Sequence, residues 1–443
     1  MTLRTTAPRI PSPRARTPLT SRRAVLAGSV ALAGTTALSA CGVGGSGPSG
    51  GENALTVLVE AGGHGQLKPI AEEFTKETGT AVSFVELPYD GLFNRLSSEL
   101  TGSAVSFDVA ALDAVWLPSF RTALTSLDDL FTDEVKADLF PALVTEAAVE
   151  GTFVGMPAWT NSEILYYRKD LFEDEAHRTA FQSAYGYELA PPATWEQYRD
   201  AAEYFSQAGD GEYHGTDVKG AVETEWLATL SQAGAESMVV GDDGTVTIGD
   251  EASLAALEFY TSLLPFAPSG AAQLDWAGAQ NLFNQGQLAL MRFWAHAYRQ
   301  VPEDAAVAGK VGVAPMIGGA AGPAGVPGAW YLSAAKASPK QEKALEFIQY
   351  AYDHNELSVD TTLGLASRVS VLEAAKGREG FENYGPLIET LNAPATRPRP
   401  AISEWQQIVD SVLIPMIQKA VEPGADLPAL LDDAKTQVSS LVS

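Results

Sequence analysis

The chain has 443 residues, with 29 Lys and Arg against 55 Asp and Glu, and a formal net charge of −26 at pH 7. This length is sufficient for two domains or more. The acidic balance favours solubility and disfavours nucleic acid and anionic lipid as partners. Cys41 is the only cysteine, so no second thiol is present to pair with it.

The first 40 residues have the pattern of an export signal. Residues 1–23 contain six arginines and no acid, and residues 24–40 are uncharged and mostly small or apolar. A basic segment followed by a short apolar one is typical of a signal peptide. The apolar run is too short and too rich in Gly, Ser and Thr for a good membrane span. We predict a signal peptide over 1–40, with a weak transmembrane anchor as the alternative.

Two short motifs refine that prediction. Residues 21–26 (SRRAVL) resemble the twin-arginine export motif. Residues 38–41 (LSAC) resemble the bacterial lipobox, in which the cysteine becomes the lipidated first residue of the mature chain. The resemblance implies a lipid on Cys41 and a protein held at the outer face of the cytoplasmic membrane. Residues 41–52, rich in Gly and Ser, are then the anchor and a flexible tether. Twin-arginine and general export both remain open.

Strand and helix patterns alternate at the start of the mature chain, over residues 54–65, 66–79, 80–88, 90–103 and 106–120. In the first helix pattern, four apolar residues share one face: Leu67, Ile70, Ala71 and Phe74. Gly79 fits the end of that helix. This β-α-β-α-β order predicts an α/β sheet with helices on both faces.

Two later helices are predicted from their capping residues. Thr194 followed by Gln197 forms a capping box before an amphipathic segment. Ser338, with Pro339 next to it and Gln341 three residues on, has the same pattern.

Five segments, taken together and in order, resemble a known family: 151–172, 191–205, 241–264, 311–352 and 363–375. They resemble the extracellular solute-binding proteins of carbohydrate ABC importers, the group that includes maltose- and trehalose-type binding lipoproteins. The resemblance covers essentially the whole mature chain. Its specificity lies in the series of segments behind a lipobox, since no single segment is diagnostic.

The resemblance implies a two-lobed, periplasmic-binding-protein-like α/β fold with a ligand cleft between the lobes. The chain would cross the hinge three times, near Thr160, near 327–329 and near 365–368. One lobe would then comprise 53–160 plus 329–364, and the other 161–328 plus 365–443. Such lobes close on a ligand by hinge bending, and the protein is expected to be a monomer.

A sugar offers an apolar C–H face and a rim of hydroxyls, so its site needs aromatic surfaces together with carboxylate, amide or guanidinium groups. Candidates are residues that follow strand patterns, residues at the expected crossings, and tryptophans beside Gly, Pro or an acid; the resemblance also implies a stacking aromatic at the helix that begins with Trp405. The ligand-binding candidates are Glu60, His64, Asp113, Trp116, Asn161, Trp226, Trp294, Trp330, Arg368 and Trp405.

Each candidate has a structural alternative. A tryptophan is more often core than ligand platform. Glu60 and Asp113 could be helix caps, His64 an ordinary loop residue, and Arg368 a partner in a surface salt bridge. Trp195 is assigned to packing, and Trp159 and Trp276 are left undecided.

The predicted function is capture of a mono- or oligosaccharide and its delivery to a membrane permease, with no cofactor or metal. One alternative keeps the fold but binds a polyol phosphate, a peptide or a polyamine. The other alternative is a secreted glycan-active enzyme. It is disfavoured because H-E-x-x-H and clustered histidines are absent from the sequence. An amino sugar or charged sugar is possible, given the acids at 60 and 113.

Overall fold

The computed structural model describes residues 53–102, 104–241 and 243–443. The predicted signal peptide, Cys41 and the tether lie outside the described residues, so these assignments stay predictions. In the described part, no helix is both long and apolar enough to cross a membrane.

The strands are short and are numbered in chain order. They are β1 (Ala54–Glu60), β2 (Ala81–Leu87), β3 (Val109–Asp113), β4 (Ala148–Val149), β5 (Thr152–Phe153), β6 (Met156–Trp159), β7 (Glu163–Arg168), β8 (Leu290–Trp294), β9 (Val311–Ala314), β10 (Gly318–Gly319), β11 (Gly322–Pro323) and β12 (Trp330–Ala334).

The α-helices surround these strands. They are α1 (Gly63–Thr78), α2 (Tyr89–Leu100), α3 (Leu117–Phe120), α4 (Asp133–Ala137), α5 (Pro141–Ala147), α6 (Lys169–Phe172), α7 (Glu175–Tyr185), α8 (Trp195–Ala208), α9 (Thr224–Ala233), α10 (Glu251–Ser262), α11 (Trp276–Asn284), α12 (Gln341–Asp353), α13 (Val369–Ala375), α14 (Tyr384–Asn392), α15 (Trp405–Ile408), α16 (Ile414–Ala420) and α17 (Leu427–Leu441). Val409–Leu413, between α15 and α16, has the wider turn of a π-helix.

The predicted β-α-β-α-β start is confirmed. β1 pairs in parallel with both β2 and β3, and α1 and α2 provide the connections. The apolar face of α1 is buried against the sheet through Leu67, Ile70, Ala71 and Phe74. Gly79 ends α1 with φ 73°, a left-handed conformation that glycine adopts without steric cost.

A later part of the chain completes this larger sheet, whose order is β2-β1-β3-β12-β6. β12 lies antiparallel between β3 and β6, so Trp330 is opposite Asp113 on one side and Trp159 on the other. A smaller antiparallel sheet has the order β8-β7-β9. The fold is therefore α/β and two-lobed, as predicted.

The three expected hinge crossings lie side by side. The Thr160 amide donates to the Ala366 carbonyl at 3.1 Å, and the Gly328 amide donates to the Asn161 carbonyl at 2.9 Å. The chain leaves the larger sheet after Trp159 and enters the smaller one at Glu163. The residue limits proposed for the two lobes stay a prediction.

Of the two predicted capping boxes, the first forms its Thr194 half, with Gln197 Oε1 accepting from the Ala193 amide at 2.9 Å, and the second does not form. The Thr194 hydroxyl accepts from the Gln197 amide at 3.2 Å at the start of α8. The second prediction was wrong, because α12 begins only at Gln341. The Ser338 hydroxyl instead donates to the buried Asp108 carboxylate at 2.6 Å and accepts from the Lys340 amide at 3.0 Å, in the turn before the helix.

Candidate functional site

A cleft of about 590 Å³ lies between elements of the larger and smaller sheets. That volume is within the range of small-molecule pockets. Its lining combines aromatic rings, carboxylates and amides, contributed by the ends of β1, β3, β8 and β12 and by α2, α11 and α15. Six of the sequence candidates line it: Glu60, Asp113, Asn161, Trp294, Trp330 and Trp405.

Trp330 is held in place by three neighbouring aromatic rings. Its ring stacks on Trp159 with centroids 5.9 Å apart and an interplanar angle of 19°. Trp116 meets it edge-on at 5.7 Å and Tyr89 at 6.2 Å. Edge-to-face contacts of this kind are favourable for aromatic pairs. Trp330 is thereby fixed at the cleft surface, with part of its ring exposed.

Trp276 and Trp294 line the cleft from elements of the smaller sheet and its neighbouring helix. Their centroids are 5.4 Å apart with an angle of 51°. A Cβ atom at Gly328 would lie 2.6 Å from Cζ3 of Trp294. Glycine at 328 therefore leaves room for Trp294 beside the second expected crossing.

Asp113 is engaged by protein groups. One carboxylate oxygen accepts from Arg399 Nη2 at 2.6 Å, and the other accepts from the Tyr89 hydroxyl at 2.9 Å. Asp113 also accepts from the Val115 amide at 3.4 Å, which is the capping role raised as its alternative. Burial, and then the charge on Asp113, raise the pKa of Tyr89 well above its usual value, so its hydroxyl stays a donor.

Glu60 lies at the end of β1 and is only partly buried. Burial, together with the negative charge of Asp113, raises the pKa of Glu60 to about 7. No hydrogen bond or ion pair joins the Glu60 carboxylate to another residue in the described ranges. This carboxylate is therefore available to a bound solute.

Asn161 and His296 form a pair beside the first expected crossing. Asn161 Nδ2 lies 2.7 Å from His296 Nδ1. Burial lowers the pKa of His296 to about 4, so the imidazole is neutral at neutral pH and its Nδ1 can accept. Asn161 Oδ1 is buried without a hydrogen-bond partner among the described residues.

Four sequence candidates do not line the cleft. His64 stacks on Phe84 at 4.7 Å. Trp116 is fully buried behind Trp330, with its indole Nε1 3.4 Å from Gln406 Oε1. Trp226 is fully buried within α9. Arg368 forms an ion pair with Asp138 at 2.7 Å, the salt bridge named as its alternative. In the structure all four have structural contacts.

Several cleft residues were missed by the sequence reasoning: Tyr89, Glu223, Asp275, His296, Arg399, Gln406 and Asp410. Trp276, which the sequence does not assign, also lines the cleft. Only weak local signals mark them. Arg399 follows Pro398 near the C-terminal helices, and its partner Asp113 is 286 residues away. The π-helical segment, which places Val409 and Asp410 at the cleft, is of a type often found at functional sites.

Behind Trp276 lies a fully buried ionic cluster. Lys219 Nζ is 2.5 Å from an Asp217 carboxylate oxygen and is also paired with Glu225. Arg292 Nη2 lies 3.2 Å from Glu225. Lys219 Nζ is 5.8 Å from the Trp276 ring centroid, so the cluster supports one wall of the cleft.

Glu163, next to this cluster, provides a pH-dependent test of the structure. Its carboxylate accepts from the Thr224 hydroxyl at 2.5 Å, and burial followed by the charge on Glu225 raises its pKa to about 8. Stability from this group is therefore present below its unfolded-state pKa and is lost as pH rises toward 8. We expect Glu163→Gln to remove that loss.

The measurement is urea unfolding of both proteins at pH 5.5, 7.0 and 8.5. The wild type should lose up to several kcal/mol relative to Glu163→Gln, since one pKa unit corresponds to about 1.4 kcal/mol. Glu60 and Glu146, whose pKa values are also raised to about 7, titrate equally in both proteins and cancel in the difference. Parallel stability curves would contradict the assignment.

Two α/β lobes around a cleft of this composition define the class of two-lobed solute-binding proteins. Solved structures support the fold. Maltose-bound MalE3 of T. maritima is 24% identical, with a TM-score of 0.72, and the match covers 88% of this chain and 99% of that one. A ribitol-bound solute-binding protein of Agrobacterium radiobacter is 23% identical with a TM-score of 0.71, covering 88% and 98%.

Residues 61–355 match the model of the bacterial extracellular solute-binding protein family. The chain therefore belongs to this family, as the sequence analysis predicted. A probable ABC transporter-binding protein of Deinococcus radiodurans is 28% identical over 405 residues, which cover 85% of this chain and 91% of that protein.

Proposed function

We propose that this protein is the exported, lipid-anchored binding component of an ABC importer that captures a sugar or sugar alcohol between its lobes. The observation that carries the proposal is the cleft, where Trp276, Trp294 and Trp330 face carboxylates and amides. Flat rings suit the C–H faces of a sugar, and charged acceptors suit its hydroxyls. Relatives of similar fold hold maltose and ribitol, and the Deinococcus relative is described as an ABC transporter-binding protein.

The proposed mechanism is capture followed by delivery. The open form binds solute, and hinge bending closes the lobes around it. The solute stabilises the closed form because it contacts both walls only there, and this differential affinity sets the population that a permease would recognise. No step requires a cofactor. In the described part of the chain, no group of three or more His, Cys, Asp or Glu residues is arranged to hold a metal ion.

The ligand class is tested by titrating residues 42–443, the mature chain without its lipidated cysteine, with monosaccharides, disaccharides, sugar alcohols, sugar phosphates, peptides and polyamines. Thermal shift and tryptophan emission are read together. A solute that binds the native state raises the melting temperature, and one that contacts the cleft rings also changes emission. A sugar or sugar alcohol that does both supports the proposal. A response to phosphates or peptides alone, or hydrolysis of any glycoside, contradicts it.

The membrane anchor is tested separately with Cys41→Ser. We expect the wild-type protein in the membrane fraction and the variant in the soluble exported fraction, because serine cannot form the thioether. Stable membrane anchoring normally takes two lipid chains or an equivalent second signal. A variant without the lipid should therefore move almost completely to the soluble fraction. Fractionation with mass spectrometry of the mature N-terminus provides the readout. Equal membrane retention of both proteins would rule out the lipid anchor.

A further inference from the structure

We propose that the bound solute is a sugar carrying a protonated amine, whose ammonium group is received by Glu60 at the acidic end of the cleft. This inference rests on the proposed function and narrows it from sugars in general to cationic sugars.

The first support is the charge balance of the cleft. Five carboxylates line it, namely Glu60, Asp113, Glu223, Asp275 and Asp410. Among the lining residues that the structure describes, Arg399 is the single Lys or Arg, and its guanidinium is paired with Asp113 at 2.6 Å. The cleft thus has more negative than positive charge, which repels phosphorylated solutes and attracts cations.

The second support is the state of Glu60. It has no hydrogen bond or ion pair with another described residue, yet it is partly buried beside the charge of Asp113. These two effects raise its pKa to about 7. An ammonium group at this carboxylate would offset both of them, because an opposite charge favours the ionised form. A neutral hydroxyl would offset the effects of burial and of the Asp113 charge less than an ammonium group does.

The third support is the hydrogen-bonding character of the acidic end of the cleft. The Tyr89 hydroxyl is already donated to Asp113, and no described residue donates to the Glu60 carboxylate. An ammonium is purely a donor and the hydroxyls of a sugar can donate, so an amino sugar supplies the donor that this carboxylate lacks.

The aromatic walls indicate a ring-shaped cation. Trp276, Trp294 and Trp330 present faces that can cover sugar C–H surfaces and also attract a cation. A linear polyamine would use the carboxylates but would leave the flat aromatic faces with fewer matched groups. The combination therefore favours an amino sugar over a polyamine.

The test is calorimetric titration of the mature chain at pH 7.0 with matched sets of probes. One set is glucosamine, glucose and N-acetylglucosamine; a second is the corresponding galactose series. A third is fully deacetylated chitobiose, cellobiose and diacetylchitobiose. Spermidine and glucose 6-phosphate complete the panel. In at least one set, the amine should bind about tenfold or more tightly than both neutral members, since charge-assisted contacts are the stronger ones.

Glu60→Gln should then reduce binding of that amine about tenfold or more and leave binding of its neutral counterparts within a few-fold. Glu72→Gln is the matched control, because Glu72 lies on α1 with its side chain 68% exposed and does not line the cleft. It should leave every affinity unchanged. An equal effect of the two substitutions would overturn the role of Glu60.

The outcomes separate the inference from the proposed function. If neutral sugars bind as tightly as their amines, the cationic solute is overturned while the sugar importer stands. If spermidine or glucose 6-phosphate binds and no sugar in the panel does, both are overturned. A preference for the amine that disappears in Glu60→Gln supports both.

Discussion

Replacing Lys219 by methionine is expected to lower the free energy of unfolding by about 3–5 kcal/mol. Lys219 is fully buried, and its ammonium is paired with Asp217 and Glu225, which are themselves buried. It also donates to the Arg292 carbonyl at 3.0 Å. Methionine preserves most of the side-chain volume, so the loss reports the uncompensated charge of the two carboxylates and not a cavity. Urea unfolding at pH 7 measures it.

Lys68→Met is the matched control. Lys68 is on α1, with its side chain 57% exposed and its Nζ 3.8 Å from Glu72. An exposed pair of this kind contributes about 0–1 kcal/mol, so the control should be close to wild type. A loss of less than about 1 kcal/mol for Lys219→Met would show that the buried cluster reorganises and does not depend on this ammonium.

The second large effect is expected for Trp330→Leu, which should weaken binding of the transported solute by about 30-fold or more, or about 2 kcal/mol. Leucine keeps an apolar side chain at β12 but removes the flat face that the cleft presents. The surrounding Trp159, Trp116 and Tyr89 rings also lose a partner, so some stability is lost as well. Calorimetric titration with the solute that gives the largest thermal shift measures the affinity.

Trp195→Leu distinguishes the two effects of that substitution. Trp195 is also a partly buried tryptophan, and it stacks on Phe259 at 4.4 Å outside the cleft. It should lose stability while its affinity for the solute stays unchanged. Equal losses of affinity in both variants would mean that binding follows global stability and not contact with Trp330.

Much of the cleft was anticipated because several of its residues lie where strands end. Glu60, Asp113 and Trp330 are at the limits of β1, β3 and β12, and neighbouring strand ends meet at one edge of a sheet. Trp226 has no such position, because it lies within helix α9 and does not line the cleft. A tryptophan in a mostly buried helix, α9, has the same local sequence features as one at the surface.

The missed residues depend on pairings between distant parts of the chain. The position of Arg399 depends on its pairing with Asp113, and that of His296 on its contact with Asn161, which is 135 residues away. No periodicity or spacing within a segment encodes such a pair. Tyr89 starts α2, where the sequence shows only an aromatic residue after a proline. Its role follows from the hydroxyl that reaches Asp113.

The sequence by itself determined the alternating strands and helices at the start of the mature chain, the buried face of α1, the cap at Thr194 and the family. These features arise from local backbone preferences and from residue order. Only the tertiary structure decided which tryptophans face solvent, that β12 lies between β3 and β6, and that Asp113 is paired with Arg399 while Glu60 has no partner among the described residues. Packing and electrostatics act between residues that are close in space, whatever their separation along the chain.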